Sequence, residues 1–438
     1  MDAYKFLMHG GYAHIYYDAK KNSICKSLSK RVRGGVYSYS TMLDTIFSAS
    51  LSGINGVPTC HYVLLDEKTV KIIMDYQGHT LLKWLSEHDL PSRRSMCIGI
   101  VMGLLEVLLN LQYNGIQHTD LKPSNVLINA QRDVHLIDFN CMSIEYIKDS
   151  SRKWVEGIGS WYYCAPEVIF HNAPSDTSMV WSIALIFCCL WYKFPIARSI
   201  MKRFSSKHIP EQQSEWRQIY AHMQKHCSST TALVWREMIK ELPSDTYEFL
   251  SRMLSWDPLK RPSLQEVYVY FKQEPITCIH LTRLEWMSHP NRISQERREA
   301  AIQRSYDLCI SLQAPHLFTH TVVLFDRCYE LINGGGPHPC NPATLETGCL
   351  VLVAFLHNMQ IFDMQEYKKN VHESNDDVEM AICAIGQLLH WKLYQRSIEY
   401  ILLKLGYSIS HVALKNILMH QKDEYSPKSI AKRLSEQQ

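Results

Sequence analysis

No low-complexity tract interrupts the 438 residues, and no run of Lys or Arg dominates any part of them. With 46% hydrophobic and 20% charged residues, the chain has enough apolar surface to fold into compact globules rather than stay disordered. The net charge of +3 is small for this length. It argues against broad electrostatic attraction to nucleic acid or anionic membranes, so neither is expected as a partner. The 14 cysteines lack the paired spacing of a zinc site and the density of a disulfide scaffold. They read as reduced thiols of a cytoplasmic or nuclear protein. Met1-Asp-Ala-Tyr-Lys5 shows no charged region followed by an apolar core, so no secretory signal is expected. The longest apolar run, Val180 to Trp191, is shorter than the roughly 20 residues needed to span a bilayer; it reads as a buried helix.

The length exceeds what one ordinary core organises, and two domains fit best. Up to about residue 78, β-branched and aromatic runs such as His14-Ile-Tyr-Tyr17 and Val70-Lys-Ile-Ile-Met74 alternate with turn residues, which predicts a sheet-rich lobe over 1–78. From Ser92, apolar residues recur at helical spacing (Val101, Leu104, Leu105, Leu108, Leu111), which predicts a larger helical lobe over 79–276. A polar break over 277–294 reads as a linker. Helical blocks follow near 295–313, 318–332, 343–357 and, as one helix or two, 376–404, with 406–438 left as a tail.

Chemistry concentrates in His118-Thr-Asp-Leu-Lys-Pro-Ser-Asn125, followed by Leu136-Ile-Asp138-Phe139 and Ala165-Pro-Glu167. Phosphoryl transfer needs positioned phosphates, hard-cation ligands and an aligned hydroxyl more than covalent help from the protein. Asp120 suits the base that orients a hydroxyl, Lys122 can neutralise phosphate charge, and Asn125 and Asp138 offer the oxygen ligands that Mg²⁺ or Mn²⁺ prefers. Taken singly, Asp120, Asn125 and Asp138 could each be turn residues. Their joint order and spacing favour the chemical reading.

These motifs resemble those of eukaryotic-type serine/threonine protein kinases, with features of the cyclin-dependent and casein kinases, over residues 4 to 275. The resemblance implies an α+β bilobal kinase fold that binds MgATP and phosphorylates Ser or Thr of a protein substrate. It implies a Gly-rich loop at Met8-His-Gly10-Gly11-Tyr-Ala13-His-Ile15, with Ile15 packed on adenine. Lys26, in Ser23-Ile-Cys-Lys26, takes the place of the lysine that grips the α- and β-phosphates; an ordinary strand lysine is the alternative. Asp44 stands at the offset of its helix partner. Ile73-Met-Asp-Tyr-Gln-Gly78 resembles the hinge, with Met74 as gatekeeper and Asp75 and Tyr76 facing adenine. Ser160 takes the threonine position of the activation segment, and Arg261 is the expected partner of Glu167.

Departures from the pattern are informative. Thr119 replaces the arginine that receives an activation-loop phosphate, and Val155 occupies the phospho-threonine position, so activation by loop phosphorylation is not expected. Asn140 replaces the glycine after Phe139, Met8 and Ala13 replace two loop glycines, and Met179 replaces an aspartate that anchors the catalytic loop. A weak or inactive kinase acting as a binding scaffold is the alternative.

Beyond the linker, Thr319-His-Thr-Val-Val-Leu-Phe-Asp326-Arg327-Cys-Tyr329 resembles a cyclin box. In that reading an arginine of the preceding helix, Arg297 or Arg298, comes first, and a buried third helix spans Leu345 to His357. The resemblance implies an all-α cyclin-like domain over 295–405 that docks within the same chain. An unrelated bundle with Asp326 and Arg327 as a surface pair remains the alternative.

Overall fold

The computed structural model describes residues 4–10, 13–30, 38–144, 161–171, 174–192, 213–225, 239, 242–273, 281–284, 294–333, 342–357 and 375–436. The first lobe is an antiparallel five-stranded sheet in the order β1-β2-β3-β5-β4, built from Lys5–His9, Ala13–Asp18, Ser23–Ser29, Cys60–Leu65 and Thr69–Asp75. Alternation puts Ala13, Leu28, Val70, Ile72 and Met74 into a small core on one side, with Ile15 packed against it. Among the described residues of this lobe one helix occurs, α1 (Tyr39–Ser50); it starts at Ser38, whose hydroxyl accepts the Thr41 amide at 3.3 Å.

A surface helix shows one polar face. Helix α1 does not: every residue but Ser40 is buried, including Thr41, Asp44, Thr45, Ser48 and Ser50. The sheet covers one side of it, and a helix from the far end of the chain covers another.

The second lobe holds the short pair β6 (His79–Thr80) and α2 (Leu81–Glu87), the long α3 (Leu90–Tyr113), and short strands β7 (Ile116–His118), β8 (Val126–Ile128), β9 (Val134–Leu136) and β10 (Met142–Ile144). Helices α4 (Pro166–His171), α5 (Asp176–Trp191), α6 (Gln213–Lys225), α7 (Ser244–Met253) and α8 (Leu264–Lys272) complete it. Val180 to Trp191 lies in α5, with every residue up to Leu190 buried. Helix α3 has the length and apolarity of a membrane span, but it packs as a core helix against α5, α8, β7 and β9, burying Cys97, Ile100, Val101, Leu104, Leu105 and Leu108.

The last part is a helical bundle: α9 (Gln295–Ser311), α10 (Phe318–Asn333), α11 (Pro342–Leu356), α12 (Asn375–Leu388), α13 (Ile398–Lys404), α14 (His411–Met419) and α15 (Pro427–Ser435). The block expected over 376–404 is two helices, separated by an irregular stretch through Trp391 and Tyr394. Helix α11 is the central one, buried from Leu345 to His357. It approaches α12 so closely that a Cβ at Gly348 would lie 2.9 Å from Ile385 Cδ1.

Residues 406–438, expected as a tail, carry α14 and α15 instead. Ile430, Ala431 and Leu434 are buried on one face of α15, and Ser426 caps it together with Ser429. Residues 281–284 of the expected linker are tied to the lobe: Thr282 donates to Asn110 Oδ1 at 2.8 Å and Leu284 to Asn114 Oδ1 at 2.9 Å.

Candidate active site

Strand β3 carries Lys26 into the cleft between the lobes, where its ammonium meets Asp44 Oδ2 at 2.6 Å and Asp138 Oδ1 at 3.1 Å. Asp44 comes from α1 and Asp138 from the turn after β9, so one lysine joins three segments. The other Asp44 oxygen accepts the Phe139 amide at 3.0 Å. Asp138 adopts φ of 70°, a left-handed conformation that Asp tolerates better than most residues.

Burial alone would favour neutral Lys26, but the carboxylates of Asp138 and Asp44 outweigh it and hold the ammonium well above its ordinary pKa. Burial also pushes Asp44 up against the pull of Lys26. Asp138 goes the other way: burial opposes its charge, yet Lys26 and Lys122 together keep its carboxyl below the usual range.

The loop after β7 brings Asp120, Lys122 and Asn125 together. Lys122 Nζ lies 2.6 Å from Asp120 Oδ2, and Asn125 Nδ2 donates to Asp120 O at 2.8 Å and to its Oδ2 at 3.2 Å. Burial raises the Asp120 pKa, with Lys122 opposing. The buried His118 ring donates from Nε2 to Ile137 O at 3.2 Å and accepts the Asp120 amide on Nδ1. Burial drops its pKa to about 4, so the ring is neutral at physiological pH.

Thr119 donates its hydroxyl to Cys141 O, just beyond Asp138 and Phe139. The pairing of β7 with β10, Met142 opposite His118 and Ile144 opposite Ile116, continues that contact. Met179 is buried in α5 near this loop, where a carboxylate was expected from the resemblance.

Along the edge that the resemblance assigns to adenine, Ile15 packs against the cluster that contains Met74. The Asp75 amide donates to Thr59 O and the Tyr76 amide to Asn22 O, at 3.1 and 3.0 Å. Those two N–H groups are therefore spent within the fold. Gly10 N–H closes its loop on Ala13 O at 2.8 Å; Gly11 and Ser160 lie outside the described residues. Val155 does too.

Arg261 meets Glu167 through two parallel bonds of 2.6 and 2.8 Å, with the Ser178 hydroxyl adding a third at 2.6 Å. In the C-terminal bundle Asp326 is not paired with Arg327. Arg298 binds it bidentately at 2.9 and 2.8 Å, both side chains are fully buried, and the Tyr425 hydroxyl donates to the same carboxylate at 2.7 Å. Arg327 instead donates to Lys392 O at 3.1 Å.

Sequence reasoning missed Tyr425, Ser178, and the contacts of Tyr394 and Tyr400 on the end of α3. Tyr394 and Tyr400 lie 280 and 288 residues from their partners and Tyr425 lies 99 from Asp326, so no local pattern signals them; Ser178, only 11 residues from Glu167, read as an ordinary helix residue.

The oxygen set fits a hard divalent cation. Asn125 spends its amide nitrogen on Asp120, leaving Oδ1 as an acceptor, and ionised Asp138 supplies carboxylate oxygens. Lys26 and Lys122 add positive charge for a polyphosphate. Among the described residues no cluster of three His, Cys, Asp or Glu side chains suits a metal held by protein alone.

A family model described as protein kinase domain matches residues 10–270. The serine/threonine-protein kinase ppk23 of Schizosaccharomyces pombe is 27% identical over 286 residues, 61% of this chain and 71% of that protein. The serine/threonine-protein kinase ssn3 of Aspergillus clavatus is 24% identical over 352 residues, covering 66% of this chain and 82% of that one. Calcium-dependent protein kinase 27 of Arabidopsis thaliana is 33% identical over 147 residues, 32% of this chain and 30% of its own.

Proposed function

The chain belongs to the protein kinase family, and on that premise we propose that it transfers the γ-phosphate of MgATP to Ser or Thr hydroxyls of protein substrates. Lys26 holding Asp44 and Asp138 together carries this reading, because it joins α1 to the cleft in the arrangement that phosphate binding needs. Asp120 orients the attacking hydroxyl and accepts its proton. Lys122, already on Asp120, neutralises charge on the transferred group. Asn125 and Asp138 would hold a divalent cation, which would supply positive charge against the phosphates. Gly10, Gly11 and Ile15 cover the nucleotide, with Met74, Asp75 and Tyr76 behind adenine; Tyr76 acts through its ring or carbonyl, its amide being engaged. Ser160, Glu167 and Arg261 support the substrate side.

Residues 294–436 act as a cyclin-like module in the same chain, pressing α1 into place. The support is the bidentate Arg298–Asp326 pair and the α11 cover on α1, where the Tyr39 hydroxyl donates to Phe355 O at 2.5 Å. Being tethered, the module needs less contact energy than a free partner, since a tether supplies an effective concentration of about millimolar. With Thr119 bonded to Cys141, it stands in for a loop phosphate. The described cysteines are all free thiols, which suits the cytoplasm or nucleus.

Incubation with γ-labelled ATP and a peptide array, followed by phosphoamino-acid analysis, tests the activity. Phosphoserine or phosphothreonine made by the wild type and lost in Asp120→Asn is the expected result. Nucleotide binding with no transfer above the Asp120→Asn level would sink the enzymatic reading and leave the scaffold.

A further inference from the structure

The C-terminal bundle grips the catalytic domain at two places belonging to different lobes. At the first lobe, Tyr39 reaches Phe355 O, and Ser50, the last residue of α1, accepts the Tyr394 amide at 3.0 Å. At the second, the end of α3 and its turn offer two carbonyl oxygens. Gln112 O accepts the Tyr400 hydroxyl at 2.7 Å, and Asn114 O accepts the Tyr394 hydroxyl at 2.6 Å. The strap through Leu284 reinforces this side, because Leu284 O accepts the Arg396 amide at 2.8 Å.

Tyr394 belongs to both sets. Its backbone is bonded to Ser50, its ring lies 5.2 Å from that of Phe47, also in α1, and its hydroxyl ends on Asn114. It is 1% exposed, so water does not replace these bonds in place. Tyrosine has only two side-chain torsions, and with both ends fixed it behaves as a short strut. Tyr400, by contrast, donates to Gln112 and packs on Gly115, both on the second lobe.

We propose that Tyr394 is a positioning residue that sets the separation of the two lobes and thereby the residence of nucleotide between them. It deepens the reading of the bundle as a regulator in cis and rests on it. Nucleotide leaves by opening of the cleft, a motion of one lobe against the other. Tyr394 opposes that opening because the last turn of α1 and the end of α3 cannot separate without breaking its hydroxyl bond.

Three conservative variants separate the possibilities, each checked for an unchanged fold by thermal midpoint. Tyr394→Phe keeps the ring on Phe47 and the amide on Ser50 but releases Asn114. It should raise the dissociation rate of a fluorescent ADP analogue and the KM for ATP by about threefold or more, the scale of one lost internal hydrogen bond, with kcat changing less than KM. Tyr400→Phe loses a bond of the same kind to the neighbouring carbonyl and should leave both quantities unchanged. Equal effects of the two variants, or no effect of Tyr394→Phe, would overturn the proposal, because simple docking of the bundle predicts that they behave alike. Tyr39→Phe reports on the cis-activation reading through kcat. A lower kcat there with an unchanged Tyr394→Phe sinks the strut alone. Faster ADP release in Tyr394→Phe with a normal kcat in Tyr39→Phe leaves the strut standing and removes the activation reading.

Discussion

Lys26 binds Asp44 and Asp138 at the same time, at 2.6 and 3.1 Å. Asp is one methylene shorter than the glutamate usual in the family, so α1 must lie closer to β3 for this pair to form. Helix α11 of the bundle covers the outer side of α1.

Asp44→Ala should therefore lower kcat/KM by about two orders of magnitude, the scale of losing one preorganised charge contact. Asp44→Glu should not behave as wild type. Asp44 is 1% exposed, and an added methylene overpacks its site. Steady-state kinetics of both variants check this; wild-type activity in the glutamate variant would show that the close approach of α1 is not required.

Thr119→Val removes the hydroxyl bonded to Cys141 O while keeping the side-chain volume. A loss of about 1 kcal/mol of positioning corresponds to a several-fold drop in kcat with KM for ATP nearly constant. Steady-state assays at saturating ATP read it, and an unchanged kcat would show that the β7–β10 pairing suffices.

Arg298 and Asp326 form a fully buried pair, so removing one partner leaves an uncompensated charge. Arg298→Met should cost about 3–5 kcal/mol of bundle stability, whereas Tyr425→Phe, losing one donor, should cost about 1–2. Urea unfolding followed by tryptophan fluorescence distinguishes them, and comparable small losses would contradict the buried pair.

Glu399 is fully buried, and burial raises its pKa to about 7, with the Thr319 hydroxyl opposing at 2.5 Å. The folded form thus binds a proton more tightly than the unfolded chain. Its contribution is complete below the ordinary glutamate range and is lost as pH rises through about 7. His320 and His118 run oppositely, each depressed by burial to about 4, so their contribution disappears as pH falls from about 6.5 towards 4. Glu399→Gln isolates the first effect. Its stability relative to wild type should improve by roughly 3 kcal/mol between pH 5 and pH 9; a difference independent of pH in denaturation curves would refute the assignment.

The parts of the site legible in the sequence are those encoded locally or by fixed order. Asp120, Lys122 and Asn125 lie within one turn-rich loop, and Asp138 follows by a strand and its return, so spacing alone brought them together. Arg261 and Glu167 were reachable through resemblance. Asp326 drew attention as a motif, but its partner was hidden: Arg298 and Arg297 are adjacent on one helix, and only packing decides which faces inward. Helix α15 escaped because its buried positions, Ile430, Ala431 and Leu434, sit among Lys428, Lys432 and Arg433 in a short segment. The engaged Tyr76 amide depends on the Asn22 turn, which spacing within the hinge does not reveal.

The cover over α1 also fixes an order of events during synthesis. Phe355, which accepts the Tyr39 hydroxyl, is 316 residues downstream. At about 5–20 residues per second, α1 waits on the order of 15–60 s for that helix to be made. Throughout this interval the face of α1 that α11 later covers has yet to meet that helix. The nascent chain thus passes through a stage in which α1 is made and its later cover is not.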